Sequence, residues 1–235
     1  MLPNETLAAL DLRALGRAAG WLRRETLESL TEVNHRCLDL FAEQALICGP
    51  QSQPGLRQVG ELWRALDEPA RWRAAACPYL LVDAFFGDPQ RWQWLRGPRV
   101  GDAAGVAYAP FFTVPQTVAV ARMVFFFAWS LALSHAAGAR LVLGIHPHCA
   151  TLLGTCTVAQ VHELAERCPG WLRPRWLKRV RLWRQMLLAA AEGDAVSLER
   201  SRMQGLQMLA AEAWDAGRHE ARTVARASGA MLQLQ

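Results

Sequence analysis

The chain has almost no lysine: Lys178 is the only one among 26 basic residues. With alanine and arginine both abundant, this is the usage of a GC-rich bacterial genome, so the arginine bias by itself is no sign of RNA binding. The six cysteines (37, 48, 77, 149, 156 and 168) include no CxxC pair, which removes the usual zinc-ribbon and dithiol redox spacings. The N-terminus carries no basic-then-apolar leader, and reduced thiols in a cytoplasmic protein are expected. No HExxH, glycine-rich phosphate loop, Ser/His/Asp grouping or paired-carboxylate pattern occurs, so neither catalysis nor a cofactor is expected. The longest apolar run, Met123–Leu133, is eleven residues with one serine, against the ~20 that a membrane span needs. Arg122 precedes it and His135 and Arg140 follow it. A core helix, and no membrane contact, is expected.

What is present is globular in character. The 235 residues are 52% hydrophobic and 20% charged, enough apolar surface for a sizeable core. The net charge of +5 permits an anionic partner without requiring one. Apolar residues recur at helical spacing nearly throughout, and the expected class is all-α, a multi-helix globular bundle. Residues 1–48 read as an N-terminal helical segment packing on the core, with helices from Asn4 to about Arg17 and from about Trp21 to Ile47. Residues 49–112 read as an insertion of short helices and loops after the Cys48–Gly55 linker. Within it, Tyr79–Phe86 suits either a buried helix or a short strand. Residues 113–217 read as the helical core, ending in a helix from Ala195 to about Asp215, and 218–235 as a frayed tail. Ten tryptophans at wide intervals read as packing residues and interface anchors.

Within the core, residues 146–167 have the outline of a helix-turn-helix. Pro147 suits a first helical turn. Gly154 is placed to end that helix in the left-handed region. Thr157 opens a second helix with Gln160 at the capping-box offset. Val158, Val161, Leu164 and Ala165 form its buried stripe, leaving Gln160, His162, Glu163, Glu166 and Arg167 outward. Helix–turn–helix geometry is common in proteins that bind no nucleic acid, and two outward glutamates repel phosphates.

The segment Val124–Glu166 resembles the FlhD-type subunit of the flagellar master transcriptional regulator. The likeness runs through FFFAWSLALSHAAGARLVLGI (125–145) and CATLLGTCTVAQVHELAE (149–166). Leu30–Phe41 resembles the opening helix of the same family, with Asn34 and Leu38 in matching places. In the family the opening helix runs directly into the apolar helix; here residues 50–112 intervene, and the chain continues far past Glu166. The resemblance implies a short, helical protein that dimerises and acts with a partner subunit, FlhC, which carries a cysteine-bound zinc and much of the DNA contact. Lacking CxxC, this chain does not contain that partner.

A second candidate surface follows at once. Trp171–Gln185 carries Arg173, Arg175, Lys178, Arg179, Arg181 and Arg184 and no acid. Pro174–Ala191 reads as an amphipathic helix with Trp176, Val180, Trp183 and Leu187 inward. Its cations suit phosphate contacts, an acidic protein partner, or a solvated face whose arginine stems cover apolar surface.

Other groupings read as structural. His146 and His148 suit exposed turn positions. Cys149 and Cys156 are spaced unlike zinc ligands. Arg167 beside Cys168 would lower that thiol's pKa. His135 suits a core or boundary position. Arg122 calls for a carboxylate, with Asp83 one candidate. The resulting expectation is a cytoplasmic regulator acting by association with itself, an FlhC-like subunit or another protein. In the DNA-binding form of this reading, Gln160, His162 and Arg167 touch bases or backbone and the six cations of 173–184 hold phosphates. The alternative is a helical adaptor that binds protein only.

Overall fold

A computed structural model describes residues 23–47, 54–93 and 110–232, apart from the side chains of residues 54, 56 and 214–232. The fold is mostly helical, as expected. The helices are α1 (Arg24–Ile47), α2 (Pro54–Ala65), α3 (Glu68–Ala75), the short α4 (Pro89–Trp92), α5 (Thr117–Ser134), α6 (Ala136–Leu143), α7 (Pro147–Thr155), α8 (Val158–Arg167), α9 (Val180–Glu192) and α10 (Ala195–Leu232). Two short extended segments, β1 (Val82–Asp83) and β2 (Arg173–Pro174), pair antiparallel, with Val82 opposite Pro174 and Asp83 opposite Arg173.

Local chemistry sets most boundaries. Asp67 caps α3, accepting from the Ala70 N–H at 2.8 Å. Asp88 caps α4 in the same way through Arg91. His135 ends α5 and caps α6, its Nδ1 accepting from the Gly138 N–H at 2.9 Å; it is a boundary histidine. Gly144 terminates α6 in the left-handed region at φ +60°, a conformation that costs a side-chain-bearing residue about 1–2 kcal/mol. The site has a second constraint: a Cβ there would lie 2.7 Å from Leu209 Cδ2. Pro147 occupies the first turn of α7, and Thr157 and Gln160 form a complete capping box on α8. Asp194 caps α10, accepting from the N–H groups of Val196 and Ser197.

One hydrophobic core draws on every part of the described chain. Helix α1 packs on α2, α3 and α5; α5 packs on α6, α7 and α8; α9 packs on α2, α3 and α10. The intervening residues 54–93 are thus built into the same core as the rest. Asn34 on α1 is fully buried. Its amide donates to the carbonyls of Ala75 and Tyr79 and accepts from the Leu81 N–H, pinning the chain between α3 and β1. Among the described residues α5 alone is long and apolar enough to cross a membrane, longer than the eleven-residue run suggests. In this fold its Val120, Ala121, Val124, Phe125, Ala128 and Leu131 are buried.

Several boundaries differ from the sequence reading. The Tyr79–Phe86 stretch is not a helix; it holds the two-residue strand β1 between bends, and its partner β2 lies ninety residues away and leaves no local trace. The basic segment is not helical from Pro174. Pro174 belongs to β2, Trp176 takes a left-handed conformation at φ 52°, and α9 starts only at Val180. Gly154 does not end α7 in the left-handed region; the helix runs through Thr155 and closes on Cys156, which is extended ahead of the capping box. Val158 is not part of the buried stripe and is 58% exposed. Helix α10 continues to Leu232 instead of fraying after Gly217, in a stretch free of proline and rich in alanine and arginine. The helix expected over Asn4–Arg17 and the body of the Cys48–Gly55 linker lie outside the described residues.

Candidate interaction surfaces

Helix α8 keeps one side sunk in the protein and the other in solvent. Val161, Leu164 and Ala165 are buried, while His162, Glu166 and Arg167 are exposed. The outer charges are engaged with one another. Arg122 Nε donates to Glu166 at 2.6 Å, Arg167 Nε lies 3.2 Å from Glu163, and His162 Nε2 is 4.0 Å from Glu166. Arg122 therefore finds its carboxylate on α8 and not at Asp83. Gln160 is spent on the capping box: its Oε1 accepts from the Thr157 N–H at 2.8 Å, while its own N–H donates to Thr157 Oγ1. Of the three candidate base contacts, Gln160 and Arg167 are thus tied into local structure, and His162 stands beside a glutamate.

Helices α5 and α8 lie antiparallel. Arg122 near the start of α5 meets Glu166 near the end of α8, while Trp129 Nε1 donates to the Cys156 carbonyl just before α8 at 3.0 Å. This arrangement sets Phe126 and Trp129, both half-buried and with rings 6.2 Å apart, toward the outer side of α5. Leu133 follows one turn on, 54% exposed, and Val158 opens α8. The result is an apolar stripe along the α5–α8 pair, bordered by Arg122, Glu163, Glu166 and Arg167. The sequence reading missed it because α5 is apolar on nearly every side, and such a helix gives no periodic signal for which side faces out.

The six cations of 173–184 do not form one face. Arg173 is bound to Asp83, with Nε and Nη2 at 2.9 and 2.6 Å from one carboxylate oxygen, and its guanidinium lies 3.9 Å from the centre of the Phe85 ring. Phe85 itself is held in a left-handed conformation at φ 56°, with the Arg91 guanidinium 3.5 Å from its centre. Arg175 is buried. Its Nε donates to the Leu80 carbonyl, and its Nη2 donates to the carbonyls of Val82 and Leu143 at 3.2 and 2.6 Å. Desolvation pulls its pKa down, with Asp83 and Glu212 opposing. It is a structural arginine, shielded from any phosphate. Lys178, Arg179, Arg181 and Arg184 are exposed.

Among the described residues the thiols are all buried. Burial pushes Cys77 up to about 11 and Cys149 and Cys168 up to about 12. At Cys168 the neighbouring Arg167 does act downward, but loss of solvent outweighs it. His146 caps α7, its Nδ1 accepting from the His148 N–H, and both histidines are half-buried, not exposed. Among the described residues no group of three or more His, Cys, Asp and Glu side chains is placed to hold a metal ion.

Comparison with protein-family models, with curated proteins and with solved structures finds no match.

Proposed function

We propose that the protein is a non-catalytic helical regulator of the FlhD type that acts through protein association, with the α5–α8 stripe as the docking face and a second copy of the chain as its first partner. One observation carries this reading: Leu133 on α5 and Val158 on α8 are exposed apolar side chains, with the half-buried Phe126 and Trp129 on the same side of α5 as Leu133. Aromatic and aliphatic side chains at the centre of a patch with a polar border are what protein interfaces use for affinity. The border holds two cations, Arg122 and Arg167, against two anions, Glu163 and Glu166. A face without net charge can meet its own copy without repulsion, which a cationic face cannot. The resemblance over Val124–Glu166 supports the same reading, because it spans both helices of the strip.

Light scattering on the purified chain tests the proposal. The expected mass is twice 26.1 kDa, and Leu133→Glu with Val158→Glu is expected to return the folded monomer. A wild-type monomer at about 100 µM, well above the Kd range of specific associations, would refute it. So would a dimer indifferent to both glutamates.

A further inference from the structure

Lys178, Arg179, Arg181 and Arg184 are the exposed remainder of the basic segment. None of the four has a carboxylate partner among the described residues, whereas Arg122, Arg167, Arg173 and Arg175 all do. Glu212 on α10, which reaches the same segment, is already engaged: it accepts from Trp176 Nε1 at 2.6 Å and lies 3.9 Å from Arg175. The four cations lie close together in the chain, within residues 178–184. Lys178 and Arg179 lie in the turn that leads into α9, Arg179 is its N-terminal flanking residue, and Arg181 and Arg184 share one outer side of its first turns. No side chain caps that end, so the positive pole of the helix adds to the field.

We propose that this turn grips the phosphate backbone of double-stranded DNA without reading its bases. An acidic protein surface is the competing occupant, and the local chemistry disfavours it. Leu182 and Trp183 point into the core, and Leu177 and Val180 are half-buried. No large apolar side chain of this turn is exposed as Leu133 and Val158 are, so the patch offers charge with less of the apolar surface that protein interfaces depend on. Phosphate contacts need no such anchor; their affinity comes from counterion release. Base reading is left out because the helix expected to do it, α8, has Gln160 in its cap and Glu163 and Glu166 on its outer side. The DNA surface thus lies at 178–184, outside the segment that resembles the regulator family, and it stands or falls independently of the association proposed for α5 and α8.

The test measures binding of the full chain to two unrelated 30-base-pair duplexes across a salt series. Four neutralised phosphates give a slope of log K against log salt of about −3.6, a loss of about 100-fold between 50 and 200 mM. Both duplexes bind equally, and the variant with Lys178, Arg179, Arg181 and Arg184 all replaced by alanine loses the slope. Arg181→Glu alone, at an exposed site, weakens binding and serves if the fourfold variant does not fold. The proposal is overturned if the native chain fails to bind at 50 mM salt or the folded fourfold variant keeps the slope. A preference for one duplex above tenfold also overturns it, as does displacement of DNA by polyglutamate at equal charge, which would assign an acidic protein.

Discussion

The guanidinium of Arg175 closes the C-terminal end of α6, donating from Nη2 to the Leu143 carbonyl at 2.6 Å. A cation at a helix C-terminus meets the negative pole of the macrodipole and a carbonyl that the helix itself leaves without a donor. The same side chain also reaches Leu80 and Val82. One residue thereby ties α6 to β1 from a position next to β2.

Arg175→Met should therefore destabilise the fold by at least about 1–3 kcal/mol, the cost of leaving a buried carbonyl without its donor. Arg175→Lys should not rescue it, because an ammonium lacks the planar fork that serves three carbonyls. Chemical denaturation reads both. The DNA affinity of any folded fraction should match the native chain, since this arginine faces inward.

Gly205 on α10 passes so close to Tyr79 that a Cβ would overlap the phenol ring and its hydroxyl. Tyr79 is buried and has little room to retreat. Gly205→Ala is expected to cost about 1–3 kcal/mol despite alanine's better helix propensity. In a double-mutant cycle with Tyr79→Ala, the cost of the added methyl should largely vanish, the sign of direct contact. Additive losses would contradict this account.

Cys37, Cys77, Cys149, Cys156 and Cys168 are all buried free thiols, raised by desolvation above their ordinary pKa. At pH 8 almost none of them is thiolate. In a Cys48→Ser variant, Ellman's reagent should label the native protein slowly and all five thiols at once in denaturant. A fast-reacting thiol in the native variant would show that one of these sites is open.

Asp194 holds its carboxyl below the usual carboxylate range through hydrogen bonds from Ser197, with the Val196 N–H adding a weaker contribution. A lowered folded-state pKa means that the cap stabilises α10 above the unfolded value near 3.9 and loses that contribution as pH falls through the folded value. Asp194→Ala should lower the melting temperature at pH 7, and the gap between variant and native chain should narrow as pH falls through the lowered folded-state value. A pH-independent gap would place the effect elsewhere.

The association proposal and the DNA proposal make separable demands on these variants. Glutamates at Leu133 and Val158 should abolish the dimer and leave the per-chain salt slope intact. Alanines at 178, 179, 181 and 184 should do the reverse.

Helix positions were legible in the sequence wherever a local rule fixed them. Asp67 with Pro69, Pro147 in the first turn of α7, Thr157 with Gln160, and Gly193 with Asp194 each bound a helix through local chemistry, and apolar recurrence supplied Val161, Leu164 and Ala165 of the inner face of α8 but misplaced Val158. Tertiary structure alone decided which cations remained available. Arg173 and Arg175 look like their neighbours in sequence, but their partners at Asp83, Leu80 and Val82 lie ninety or more residues away. No periodicity encodes a hydrogen bond across that separation. The outer side of α5 was hidden for a related reason: a helix apolar all round acquires a solvent face only when its neighbours leave one side uncovered.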